Sequence, residues 1–167
     1  ATNALRVLGS RIGGAVYLCD TLKGVLPALL LPQYIDSAHP ELWAIAFGVA
    51  AIIGHVRPIF LMGQGGGKGV ATAGGVFFGL AWLPALIAFL LFVATVALTR
   101  RVSAGSLVAA VVLPTGIIVT RGVTNPLSVI SCIIAVFVIW LHRGNIARLR
   151  AGTEPKIGSS GTGVPTA

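Results

Sequence analysis

The stretch VATAGGVFFGLAWLPALIAFLLFVATVAL, Val70 to Leu98, contains no charged residue. A helix that crosses a bilayer needs about 20 mostly apolar residues. This run is therefore too long for one crossing, and too apolar for the surface of a soluble domain. Its break is expected at Trp82-Leu83-Pro84, because proline starts a helix more readily than it continues one. That divides the run into a short helix from Val70 to about Ala81 and a full one from Leu83 to Leu98. Working outward, further apolar segments run from about Ile12 to Leu31, Leu42 to Met62, Ser103 to Thr120 and Pro126 to Leu141. The expectation is an all-α, polytopic bundle of six membrane helices. Asp20 and Lys23 stand three apart on the first helix and can pair on one face. Ala71, Gly75 and Gly79 offer a small-residue face for close helix contact.

The bulk composition agrees. Of 167 residues, 56% are hydrophobic and 10% are charged, against about 25% charged in a soluble domain. Lipid must be the solvent for such a chain. Its net charge of +8 would suggest nucleic acid in a soluble protein, but the apolar runs exclude a nucleic-acid-binding domain. On the six-helix plan, Arg6, Arg11, Lys68, Arg100, Arg101, Arg143, Arg148, Arg150 and Lys156 share one side, and only Arg121 lies on the other. Basic loops mark the cytoplasmic side. Residues 1–11, 63–69, 100–103 and 142–167 are therefore expected inside, and 32–41 outside. Cys19 and Cys132 sit in apolar runs without zinc or redox spacing and read as packing residues. Residues 1–150 form one membrane domain. Residues 151–167, rich in Gly, Ser, Thr and Pro, read as a disordered cytoplasmic tail.

The polar blocks gather on the basic side. They are ATNALRVLGSR (1–11), GHVRPIFLMGQGGGKGVAT (54–72), RRVSAGS (100–106) and HRGNIARLRAGTEPK (142–156). The run Gly63-Gln64-Gly65-Gly66-Gly67-Lys68-Gly69 brings backbone N–H groups, a helix start and an ammonium together, a combination suited to phosphate. It is not a Walker A loop, which needs Gly at 62 and Ser or Thr at 69; the chain has Met62 and Gly69. His142, Asn145 and Arg148 recur every three residues and fall on one stripe if the helix continues past the membrane. Asp20, Lys23 and Arg57 are ionisable groups within apolar segments, a costly placement that marks functional candidates. His55 alone reads more readily as a helix-packing hydrogen bonder than as a catalyst.

Several chemistries lack their residues. Carboxylates are too few for a di-carboxylate metal site, and no His/Cys cluster offers zinc ligands. The residues five after His39, His55 and His142 are Ala44, Phe60 and Ala147, so the His-x-x-x-x-Asp signature of thioester-using acyltransferases is absent. No G-x-S-x-G elbow is present. What remains is a basic, glycine-rich pocket beside lipid, able to act by positioning and electrostatics on an already activated donor. No cofactor is expected.

At these residues the chain resembles a known family, the bacterial integral-membrane glycerol-3-phosphate acyltransferases that use acyl phosphate. The matching stretches are Ala1, Thr2, Asn3 and Arg6; Gly54, His55, Pro58 and Gly66 to Thr72; Arg100, Val102, Ser103 and Ser106; and His142, Asn145, Ile146, Arg148, Leu149, Gly152, Glu154 and Lys156. The resemblance implies transfer of an acyl group from acyl phosphate to the 1-hydroxyl of glycerol 3-phosphate, in the bacterial cytoplasmic membrane, giving lysophosphatidic acid and phosphate. It puts Thr2, Asn3, Arg6, His55, Gly66, Gly67, Lys68, Gly69, Ser103, Ser106, His142 and Asn145 at substrate positions. Among these, His142, Lys68 and Ser106 are the candidates for catalysis. Arg6, His142 and Asn145 are assigned to the phosphate of glycerol 3-phosphate. Lys68 and the loop amides are assigned to the acyl phosphate, with Thr2 and Ser106 completing the cradle. Either His142 or a substrate phosphate takes the hydroxyl proton. The family motif also begins S-G-N-x-G before Ala1, preceded by a seventh helix, so the 167-residue chain alone is expected to be inactive or nearly so. The competing reading is a transporter of a small phosphorylated anion. Transporters commonly show internal repeats and midplane sites; the chain shows no repeat, and its polar blocks lie at one face.

Overall fold

The computed structural model describes residues 2–62 and 66–158, with the side chains of Arg6 and Leu61 outside the described set. All regular structure among them is helical. In chain order the helices are α1 (Thr2–Leu30), α2 (Pro40–Val56), α3 (Val70–Leu80), α4 (Trp82–Thr99), α5 (Val102–Arg121), α6 (Pro126–Leu141) and α7 (Arg143–Arg150), with 3-10 turns at Leu31–Tyr34 and Ile59–Leu61. The apolar segments thus become helices where their pattern places them, and the break near Pro84 falls at Ala81, between α3 and α4.

Lipid-facing and buried surfaces are distributed as a bilayer requires. Leu90, Val111, Ile133 and Val136 are exposed, while Phe77, Ile117, Leu127 and Ser128 are fully buried. Among the described residues, three helices are long and apolar enough to cross a membrane, and a fourth is if α6 and α7 count as one bent span. Of the six crossings expected, α2 at 17 residues and α3 at 11 are shorter. At about 1.5 Å per residue, α3 rises roughly 16 Å, about half of a ~30 Å hydrocarbon layer.

In lipid, close backbone approach replaces the hydrophobic force between helices. Helices α1 and α3 achieve it reciprocally. A Cβ on Gly24 would stand 2.1 Å from the Thr72 carbonyl oxygen, and one on Gly75 would stand 2.1 Å from that of Thr21. Of the small-residue face expected on α3, Gly75 thus meets α1 backbone, Gly79 meets the Leu29 side chain, and Ala71 turns to a cleft described below. At the opposite end of the bundle, Arg121 donates to Glu41 and, at 2.6 Å, to the Leu80 carbonyl, joining the ends of α2, α3 and α5.

Three segments depart from the sequence expectation. Residues 2–8, expected as a polar block ahead of the first helix, are helical. Gly9 then breaks the helix at φ 83 and ψ 177, a conformation open essentially to glycine alone. The arm before it folds against Gly13, whose added Cβ would lie 2.5 Å from the Leu5 Cα. The helix carrying the fourth polar block is not continuous: α6 and α7 meet at His142 with a bend of 58°. Finally, the first part of the tail, 151–158, is fastened to the turn between α4 and α5. Ile157 N–H donates to the Arg100 carbonyl at 2.7 Å, Arg100 donates to the Ile157 carbonyl at 3.0 Å, and Arg101 donates to the Glu154 carbonyl at 3.3 Å. Residues 159–167 lie outside the described set.

Candidate functional site

The four polar blocks meet in one cleft of about 330 Å³. Thr2 and Asn3 reach it from the arm that Gly9 turns back. Gly66, Gly67, Lys68 and Gly69 border it from the loop before α3. Ser103 and Ser106 enter from the first turns of α5, and His142 and Asn145 from the α6–α7 bend. His55 joins from the last turn of α2. Every residue expected at a substrate position lines this cleft, except that the Arg6 side chain lies outside the described residues, as do Gly63, Gln64 and Gly65 of the glycine run; of the ionisable candidates within apolar segments, Asp20 lines it and Lys23 and Arg57 do not.

The loop is shaped by its absence of side chains. A Cβ on Gly66 would fall 2.0 Å from the Val56 carbonyl oxygen, and one on Gly67 would fall 2.1 Å from His55 Nε2. The loop is thus laid directly on the end of α2, where Gly67 N–H donates to the His55 carbonyl at 3.3 Å. Gly69 closes it at φ 77 as the residue before α3.

A buried carboxylate organises the opposite wall. Glu154 has no exposed side-chain surface. Its Oε1 accepts from Ser103 Oγ at 2.7 Å and from Asn145 Nδ2 at 2.6 Å, and its Oε2 accepts from Arg148 Nε at 2.7 Å. A carboxylate can only accept, so the amide nitrogen of Asn145 must face it, and the amide oxygen faces Lys68 Nζ, which donates to it. Glu154 matches a motif of the sequence that carries no assigned role, and Tyr17 and Phe92, which also line the cleft, stand outside every sequence motif; Asp20 and Arg148, both singled out from the sequence, line it as well. The available signal was the spacing of Arg148 and Glu154, six apart around a turn. Burial pushes the Glu154 carboxyl up, but the hydrogen bonds from Asn145, Ser103 and Arg148 outweigh it and hold it below the ordinary glutamate value.

His142 is buried at the bend, and its Nδ1 lies 2.8 Å from the Val138 carbonyl oxygen. The carbonyl cannot donate, so Nδ1 carries the proton and Nε2 is the accepting nitrogen of the neutral ring. Burial lowers its pKa; the Val138 hydrogen bond opposes this, Lys68 adds to it, and Glu154 opposes it. The result is a neutral imidazole that can accept a proton beside a lysine that can bind an anion. Ser106 Oγ donates to the Val102 carbonyl at 3.0 Å. Its proton is thus engaged with its own helix, which does not suit a nucleophile.

Below the polar cleft lies an apolar groove of about 80 Å³ between α3, α4, α5 and α6, lined by residues such as Phe77, Ala85, Ala109, Leu113 and Ile134. Tyr17, Val70, Phe92 and Ser106 line both spaces. They form a waist between a polar and an apolar compartment.

The profile of the family described as "Glycerol-3-phosphate acyltransferase" matches residues 1–152. A glycerol-3-phosphate acyltransferase of Geobacter sulfurreducens is 48% identical over 155 residues, covering 92% of this chain and 77% of that one. One of Parasynechococcus marenigrum is 44% identical over 158 residues, covering 95% of this chain and 72% of the relative. The fold is similar to the crystal structure of PlsY (YgiH), an integral membrane glycerol 3-phosphate acyltransferase, in its glycerol 3-phosphate form. The TM-score is 0.84 at 34% identity, covering 94% of this chain and 76% of the other. The lysophosphatidic acid form of the same protein matches with a TM-score of 0.80.

Proposed function

Because the chain belongs to the glycerol-3-phosphate acyltransferase family, we propose that it transfers an acyl group from an acyl phosphate to the 1-hydroxyl of glycerol 3-phosphate, on the cytoplasmic side of a bacterial inner membrane. The observation that carries this reading is the waist. A polar cleft lined by Lys68, His142 and Asn145 adjoins an apolar groove, the two sharing Tyr17, Val70, Phe92 and Ser106. An acyl phosphate has the same two-part form, with a dianionic head and a hydrocarbon tail, and its carbonyl lies where the two parts join.

In this reading Lys68 and the amides of Gly66 to Gly69 hold the phosphate of the donor. Arg6 and Asn145 hold that of glycerol 3-phosphate, His142 stands beside it with Nε2 able to accept a proton, and Thr2, Asn3, His55, Ser103 and Ser106 complete the cradle. The hydroxyl oxygen attacks the carbonyl carbon, the bond from that carbon to the phosphate oxygen breaks, and inorganic phosphate leaves. The hydroxyl proton passes to His142 Nε2 or to a phosphate oxygen. A mixed anhydride is already activated, so no acyl-enzyme is required. Fixed positive charge beside the negative charge that develops in the transition state supplies the rate. The test uses sealed vesicles given acyl phosphate and labelled glycerol 3-phosphate. The expected product is labelled lysophosphatidic acid in the lipid fraction. Label accumulating in the lumen as unchanged glycerol 3-phosphate would favour the transporter reading instead.

A further inference from the structure

Asp20 and Lys23 have no role in the reaction just described, yet Asp20 lines the cleft from the middle of the spanning part of α1. It stands ten residues from Ser10 and ten from Leu30, or about 15 Å from either end of that segment. Ionisable groups at such depth are costly and generally serve a function. Asp20 is buried, and its Oδ1 lies 2.6 Å from Lys23 Nζ and 3.5 Å from His55 Nδ1. The Lys23 pair joins two residues of one helix and so ties no elements together. The His55 pair crosses from α1 to α2.

His55 in turn abuts the glycine loop. The Nε2 face of its ring occupies the space that a Cβ on Gly67 would need, and its backbone carbonyl accepts from Gly67 N–H. The imidazole is thus wedged between a carboxylate on one helix and the loop that borders the cleft. With Nδ1 toward the carboxylate, that nitrogen carries the proton, so one tautomer and one ring orientation are favoured.

We propose that Asp20 is a positioning residue: by holding His55 at Nδ1 it sets the ring against Gly67, and so fixes where the loop Gly66–Gly69 stands in the cleft. The inference rests on the proposed reading of that loop as the holder of the donor's phosphate. Lys23 pairs with the same carboxylate oxygen from within α1.

The test is a double-mutant cycle of Asp20→Asn and His55→Ala, made in a Lys23→Met background so that no lysine charge is stranded. The full-length protein is used. Asp20→Asn should raise KM for acyl phosphate roughly tenfold, a typical coupling between contacting groups, and leave KM for glycerol 3-phosphate unchanged. In the His55→Ala background it should add nothing further. Equal losses in both backgrounds, or parallel losses for both substrates that follow the fraction folded, would overturn the inference. A second measurement needs no turnover: the rate at which a maleimide labels Lys68→Cys. Asp20→Asn should change that rate when His55 is present and not when it is absent. If the labelling is coupled but acyl phosphate is never consumed by the unsubstituted protein, the brace stands and the functional reading falls. If acyl phosphate is consumed and the labelling is uncoupled, the brace falls alone.

Discussion

Replacing Glu154 tests whether the segment after α7 belongs to the site. The carboxylate is fully buried and receives three charge-assisted hydrogen bonds, from Ser103, Asn145 and Arg148. Arg148 is half exposed, so water replaces much of what that bond contributes. Ser103 and Asn145 are buried, and in Glu154→Ala both would face a cavity without an acceptor. Removing one partner of a buried charged network costs about 3–5 kcal/mol. Part of that appears as detachment of the segment and part as loss of the Asn145 orientation that meets Lys68. If about 3 kcal/mol falls on the aligned site, kcat/KM drops roughly a hundredfold. Glu154→Gln keeps one accepting oxygen but presents an amide nitrogen to a donor. It should lose about 1–3 kcal/mol, the penalty of one mismatched buried bond. The assay is acyl transfer, measured beside limited proteolysis between Gly152 and Gly158. The reasoning is refuted if Glu154→Ala keeps near-normal turnover and the segment stays protected.

Four further outcomes are expected. Lys68→Ala loses roughly 2–5 kcal/mol of interaction with bound charge, and with it most turnover; His142→Ala loses the accepting nitrogen, a general-base contribution of roughly a hundredfold or more in rate. Arg121→Ala leaves kcat/KM unchanged and lowers thermal stability by about 1 kcal/mol or less, because its ion pair with Glu41 is half exposed; a loss of turnover equal to that of Lys68→Ala would contradict the placement of the site. His142 and Glu154 both have pKa values lowered by folding, so each contributes stability above its ordinary value that is lost as pH falls through the lowered one. If neutral His142 is the base, the acid limb of a kcat/KM profile lies below the ordinary histidine value, and a limb above it would argue against that role. In intact cells without Cys19 and Cys132, an impermeant reagent should label Ala38→Cys and spare Thr153→Cys; the reverse pattern would invert the topology.

Much of the fold is legible because lipid imposes one simple rule on every segment. Apolar runs of helical length must become helices, and the proline at 84 marks where the longest run divides. The lining of the cleft was legible for a related reason. Glycines, a lysine and paired His and Asn have little cause to gather on one side of a membrane unless they share a site. Glu154 escaped because composition was read over a window: one carboxylate among Gly, Thr and Pro resembles a tail, and its partners lie up to 51 residues away. The Gly9 turn escaped because a single left-handed residue leaves no periodic signal. The link from Asp20 to His55 depends on how α1 and α2 pack, and no spacing along one helix reports it. The 58° bend at His142 likewise arises from packing, since nothing in the run from Leu141 to Arg143 forbids a straight helix.

The donor is the most direct point of decision. The full-length protein, purified into lipid, is given glycerol 3-phosphate with either acyl phosphate or acyl-CoA, without added metal or nucleotide. The account predicts one phosphate released per lysophosphatidic acid formed from acyl phosphate, none of this activity in Lys68→Ala, and no product from acyl-CoA. Efficient lysophosphatidic acid formation from acyl-CoA alone would contradict it.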